Sequence, residues 1–135
     1  MKVIVCVEDD MGIMFNKRRV SRDEKVIEKI IEIADGKRIW MSQYSYPLFE
    51  KTNSQNVIAD DLFLENALKD EYCFVEGNSL SEYKDKIDRI ILFQWNRKYP
   101  SDVKLDISLI DWKLNNCEEF SGDSHECITM EVYSK

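Results

Sequence analysis

Residues Arg89 to Asp102 read RIILFQWNRKYPSD, and the first half holds an unbroken apolar run, Ile90, Ile91, Leu92 and Phe93. Such a run suits a strand buried on both faces, and strands of that kind belong mostly to sheets covered by helices. The second half is polar, aromatic and basic, and it closes at Tyr99-Pro100. In open α/β sheets ligands sit beyond the carboxyl ends of the strands. Trp95, Asn96, Arg97, Tyr99 and Asp102 are therefore where recognition chemistry is expected.

Other segments fit the same sheet. Val3 to Val7 is a short apolar run rich in β-branched residues, as central strands are. Arg38 to Ser42, Val57 to Ala59 and Glu71 to Val75 read as further strands. Ser21-Arg22-Asp23-Glu24 has capping-box spacing, in which the Ser21 hydroxyl accepts a backbone N–H and Glu24 reaches back. Val26, Ile27, Ile30, Ile31 and Ala34 follow at helical spacing, and Gly36 is placed to end that helix in a left-handed cap. Tyr44-Ser45-Tyr46-Pro47 leads into a helical turn at Leu48, Phe49 and Glu50. Asp60 or Asp61 can cap a short helix carrying Leu62, Leu64 and Leu68, with Phe63 and Ala67 alongside so that more than one face is buried, and Ser79 with Glu82 repeats the capping-box spacing before a short helix over Leu80 to Ile87. Connections of crossover length make several strands parallel. Trp112 to Phe120 and Ile128 to Tyr133 read instead as a hairpin, joined around Ser121-Gly122-Asp123-Ser124. The expected fold is α/β: one domain over residues 1–135, a mixed, mostly parallel sheet flanked by helices, and a C-terminal antiparallel hairpin.

Charge and composition narrow the partners. A net charge of −7 opposes sequence-independent affinity for phosphate backbones, because that affinity comes from cations displacing counterions. The apolar runs are strand-sized, shorter than the roughly 20 residues a membrane helix needs, and Met1-Lys2 leads into the first strand without a signal-peptide pattern, so a cytoplasmic location is expected. Cys6, Cys73, Cys117 and Cys127 show no C-x-x-C pairing and read as free thiols, Cys6 and Cys73 lying inside strand-like runs. His125 is the sole histidine, which leaves the usual zinc constellations without ligands.

The loops Glu8 to Arg22, Ser42 to Tyr46 and Gln94 to Asp102 should meet at one sheet edge if their strands are neighbours. Arg18, Arg19, Tyr44, Trp95, Asn96 and Arg97, with Tyr99 beside them, would then line one cleft, offering guanidinium groups to an anion and aromatic faces to a planar ring. The alternatives are that Trp95 and Tyr99 pack beneath a loop and that the basic cluster from Lys17 to Arg22 is solvated. Asp23 is the candidate catalytic carboxylate: in a dry cleft it can bind an amidine-like ring edge or relay a proton, and otherwise it steadies the first turn of its helix. Glu8, Asp9 and Asp10 offer oxygen ligands for a magnesium ion or are simply solvated. Ser124-His125-Glu126 places the histidine between a hydroxyl and a carboxylate, but adjacency in sequence is not triad geometry. No motif names a cofactor.

The order of segments resembles dihydrofolate reductase over most of the chain. VIVCV is similar to that family's first strand, and NKRRVSRDEKV to the loop and helix start that carry its substrate-binding carboxylate, which the resemblance places on Asp23. RIWMSQYS, EYCFVEG and RIILFQWN resemble later strands, and WKLNNCEEF with ITMEVYSK the last antiparallel pair. The chain has Ser42-Gln43 where the family has the Gly-Arg that helps hold the cofactor phosphate, and Glu76-Gly77 where it has two glycines beside the cofactor. The stretch between Asn53 and Glu71 is also shorter. A glutamate in that place repels a pyrophosphate and obstructs close backbone approach. The phrases FNKRRVSRD, WNRKYPSD and SHECIT further resemble small bacterial proteins that carry the name ribonuclease Z, a name that implies a histidine-rich two-metal nuclease site.

Three functions follow as expectations. The first is a reductase-like domain binding a small anionic or planar ligand of nucleotide or pterin size. The second is a metal-dependent nuclease acting on RNA, for which one histidine is too few. The third is a non-catalytic protein-interaction module with Trp95 as its anchor.

Overall fold

The computed structural model describes residues 1–135. In chain order the strands and helices are β1 (Lys2–Val7), β2 (Gly12–Phe15), β3 (Arg18–Arg19), α1 (Glu24–Ala34), β4 (Ile39–Met41), β5 (Val57–Ala59), α2 (Phe63–Asn66), β6 (Tyr72–Phe74), β7 (Arg89–Gln94), β8 (Val103–Lys104), β9 (Lys113–Phe120) and β10 (Ile128–Ser134). Seven strands form the main sheet in the order β5-β4-β6-β1-β7-β10-β9. Pairing is parallel from β5 through β7, and antiparallel between β7 and β10 and between β10 and β9. The expected mixed sheet with an antiparallel end is the observed one.

The apolar run of β7 explains its central place. Ile90 and Leu92 point into one core layer with Val3, Val5, Phe63 and Leu80, while Ile91 and Phe93 point into the other with Ile4, Val26 and Ile30. Alternation along a strand sends successive side chains to opposite faces, so only a continuous apolar run serves both layers. The second layer is covered by α1, whose buried stripe is Val26, Ile27, Ile30 and Ala34. The first is covered by α2 and by irregular segments around Leu80, Ile87 and Ile107.

Several local expectations are corrected. The N-cap of α1 is Asp23, whose carboxylate accepts the Lys25 N–H at 2.9 Å, and Ser21 faces elsewhere. The helix predicted around Leu62 to Leu68 is one turn, which buries Phe63, Leu64 and Ala67 and leaves Leu62 and Leu68 exposed. Ser79 does not cap the next segment. A distant carboxylate, Asp106, accepts the Leu80 N–H at 2.9 Å and the Ser79 hydroxyl at 2.6 Å, and Ser81 to Lys86 is a 3-10 helix. Residues 12–19, read from sequence as a loop, form a hairpin that joins β8 in a small three-stranded sheet. Its tip is Asn16-Lys17, with φ of 51° and 64°. Positive φ at both central residues is what a two-residue hairpin turn demands, and asparagine tolerates it. All four cysteines are free, Cys73 buried, Cys6 half-buried, Cys117 and Cys127 exposed. No helix is long and apolar enough to cross a membrane.

Candidate functional site

The sheet order decides which loops meet. β1 and β7 are neighbours, but β6 separates β4 from β1, so the predicted site residues fall into two groups instead of one cleft. The first group surrounds Glu76, just past β6. Arg19 grips its carboxylate through two bonds, Nε to Oε2 at 2.9 Å and Nη2 to Oε1 at 3.0 Å. The Ser45 hydroxyl donates to the same carboxylate at 2.8 Å, and the Arg19 guanidinium lies 4.5 Å from the centre of the Tyr44 ring. Arg18 remains exposed on β3. A cleft of about 570 Å³ opens beside this group, walled by Met14, Lys17, Ser42, Tyr44, Glu76 and Asn78 among others.

The Arg19–Glu76 pair is mostly withdrawn from water, with side-chain exposures of 20% and 8%. A forked guanidinium on a carboxylate is the strong geometry for such a pair. Arg19→Ala is expected to destabilise the fold by about 1–3 kcal/mol, because it leaves Glu76 with only the Ser45 hydroxyl. Urea denaturation of the variant measures this, and an unchanged midpoint would sink the assignment.

The second group is built on Asp23 and includes His125, which the sequence sets beside Ser124 and Glu126 but not beside Asp23. The hairpin loop between β9 and β10 folds over the start of α1. There the Asp23 carboxylate accepts the Asp123 N–H at 2.9 Å, the Ser124 N–H at 2.8 Å, the Ser124 hydroxyl at 3.1 Å and His125 Nδ1 at 3.0 Å, besides its own capping bond. Burial pushes the Asp23 carboxyl up, but the Asp123 N–H, His125 and the Ser124 and Lys25 N–H groups outweigh it and bring it down to about 2. On the far side of the imidazole, Nε2 lies 3.0 Å from Ser21 Oγ and 3.1 Å from the Tyr99 hydroxyl. The ring stacks on Trp95 with centroids 4.5 Å apart and planes at 23°.

Trp95 itself is 3% exposed, which rules it out as a surface anchor for a partner protein, and its indole Nε1 has no hydrogen-bond partner. Asn96, at φ 56°, ties its side-chain amide to Thr129 Oγ1 at 2.8 Å. Arg97 is exposed, and with Trp95, Asn96, His125, Glu126 and Cys127 it lines a hollow of about 240 Å³. Asp102 accepts the Asn16 N–H at 3.0 Å and so pins the hairpin tip. No local signal predicts the Asp23–His125 contact, since 102 residues separate the partners.

Glu8 turns inward. Its carboxylate accepts the Gly12 N–H at 2.7 Å and the Ser101 hydroxyl at 3.1 Å. Burial raises its pKa, but hydrogen bonds from the Asp10 and Gly12 N–H groups, from Ser101 and from the Tyr99 N–H hold it below the usual value. Asp9 and Asp10 stay exposed, and nowhere do three His, Cys, Asp or Glu side chains gather closely enough to hold a metal ion. The two-metal nuclease reading therefore has no site, and the resemblance to ribonuclease Z does not carry over.

Among solved structures the chain is similar to a dihydrofolate reductase from Enterococcus faecalis complexed with NADP(H) and RAB-propyl, with a TM-score of 0.69, 12% identity, and coverage of 98% of this chain and 94% of that one. No protein-family model matches the chain, and no curated protein does. The likeness establishes a dihydrofolate reductase-like fold.

Proposed function

We propose that this chain is a reductase-like α/β domain that binds a small planar or anionic ligand, of nucleotide or pterin size, in the cleft beside Tyr44. The observation that carries this reading is the cleft itself. About 570 Å³ is the size of a small-molecule site, it lies past the carboxyl ends of β4 and β6, and it combines an aromatic ring, Tyr44, 42% exposed, with an ammonium, Lys17. Tyr44 offers a stacking surface, and Lys17 a charge for a carboxylate or a single phosphate.

The cofactor implied by the fold does not fit. Glu76 presents a carboxylate in this cleft, and Arg19, the cation nearest it, is already committed to that carboxylate. Gly77, at φ +83°, makes room for Met14, whose Cγ would lie 2.9 Å from an added Cβ. A pyrophosphate would meet Glu76 instead of a paired-glycine cradle. Asp23 has both oxygens occupied by the loop from Asp123 to His125, so a heterocycle cannot reach it while that loop is docked. The proposal accordingly stops at binding.

Thermal unfolding at roughly millimolar ligand tests it. A mononucleotide or a pterin is expected to raise the midpoint, through a stabilisation of about 2.7 kcal/mol at a concentration a hundredfold above Kd. The shift should disappear in the Lys17→Ala, Tyr44→Ala double variant. No shift with either ligand, or a shift that survives the double variant, would remove the cleft as the binding site.

A further inference from the structure

We propose that Ser21, His125 and Asp23 form a nucleophile, base and positioning relay that takes the acyl group from small activated esters. This goes beyond the ligand cleft and does not depend on it. The three residues stand in line: Ser21 Oγ is 3.0 Å from His125 Nε2, and His125 Nδ1 is 3.0 Å from Asp23 Oδ2. The Asp23 carboxylate can only accept at Nδ1, and in the tautomer that donates there the Nε2 lone pair faces the Ser21 hydroxyl. Both side chains are almost fully enclosed, at 4% exposure for His125 and 0% for Asp23. The Trp95 stack fixes the ring plane, and the backbone N–H groups of Asp123 and Ser124 fix the carboxylate. Ser21 is half-buried and reachable.

A second, independent feature points to a reacting oxygen. The Trp95 indole N–H is the one buried side-chain polar group left without a partner. Trp95 and Ser21 border the same small cavity, about 10 Å³, which is room for a single oxygen-sized atom. A buried donor with no acceptor beside a nucleophile suits the negative oxygen that develops when a carbonyl is attacked.

In the reaction Ser21 Oγ forms a bond to the ester carbonyl carbon and its proton passes to His125 Nε2. The ester C–O bond breaks, and His125 returns the proton to the departing alkoxide. A water molecule, deprotonated by the same nitrogen, then attacks the acyl-serine, releases the carboxylic acid and restores the hydroxyl. Asp23 touches no reacting atom and acts by holding the base. Tyr99 competes with Ser21, since its hydroxyl lies 3.1 Å from the same Nε2.

The test uses the full chain with p-nitrophenyl acetate, followed by release of nitrophenolate and by peptide mass mapping. The expected result is acetylation of Ser21, lost in Ser21→Ala and slowed on the order of 10²-fold or more in His125→Gln. Tyr99→Phe should acylate faster, because one competitor for Nε2 is gone. Asp23→Asn should lower kcat by more than the loss of folded fraction, followed by circular dichroism in the same sample, accounts for, a difference that a purely structural residue would not produce. Ser21→Ala removes only an oxygen from a half-buried side chain, so it tests the proposal even if the His125 and Asp23 variants unfold. Nitrophenolate release no faster than the uncatalysed background in the unmodified chain, acetylation confined to lysines or to Cys117 and Cys127, or an undiminished rate in Ser21→Ala would each overturn it.

Discussion

Asp23→Ala is expected to lower the stability of this protein by about 3–5 kcal/mol. The substitution strips the cap from α1 and leaves the Asp123 and Ser124 N–H groups and the His125 ring facing an apolar methyl. Loss of a cap costs about 1 kcal/mol, and donors left without acceptors cost at most roughly 1–3 kcal/mol each, less at Asp123 and Ser124, which are exposed enough for water to replace the carboxylate. Urea denaturation at neutral pH measures the sum, and a loss below that of a cap alone would mean the hairpin loop does not depend on the carboxylate. The same group fixes an acid response. Its folded pKa of about 2 lies below the ordinary 3.8, so its contribution is complete above pH of about 4 and is lost as pH falls toward 2. The shift corresponds to about 2 kcal/mol. In Asp23→Asn this part of the acid dependence should flatten.

Gly122→Val should release the loop that covers Asp23. A Cβ at Gly122 would lie 2.5 Å from Asp23 Oδ2 and 2.6 Å from Ile128 Cδ1, so either the carboxylate or the loop must move. The carboxylate is anchored in the first turn of α1 and Ile128 is fully buried at the start of β10, which leaves the loop to yield. The expected cost is about 1–3 kcal/mol. Displacing His125 also breaks its stack on Trp95, and a change in tryptophan fluorescence with faster amide exchange at 121–127 reports it. Unchanged fluorescence together with unchanged stability would show that the loop accommodates the side chain in place.

Much of the architecture is legible in the chain because it is written in local patterns. The apolar run at Ile90 to Phe93 announces a strand buried on both faces, and β7 is the hinge between the parallel and antiparallel parts of the sheet. The stripe from Val26 to Ala34 likewise predicts α1. Caps are less legible. Ser21 and Ser79 have the right spacing, but Asp23 and Asp106 supply the acceptors, and Asp106 does so across 26 residues of chain. The site divides in the same way. Arg19 and Tyr44 do meet, yet Arg97 and Asn96 belong to another hollow, because β6 intervenes in the sheet and no local pattern announces strand order. Asp23 was legible as a carboxylate of consequence. Its partners were not, since four of its five contacts come from the loop Asp123 to His125, a hundred or more positions away.

The hundred-residue span between Asp23 and His125 has a kinetic consequence. Closing a loop of this length costs entropy before its contacts offset it, and the contact needs residues made after β9. During synthesis α1 emerges early, while the loop that satisfies Asp23 follows β9, near the end of the chain. Until β10 pairs with β7, the Asp23 carboxylate is a solvated cap and Ser21 has no base beside it. Assembly of the polar network is thus a signal that the last strands are in place, and a chain halted before residue 125 would carry the sheet's parallel half with Ser21 and Asp23 but without the base between them.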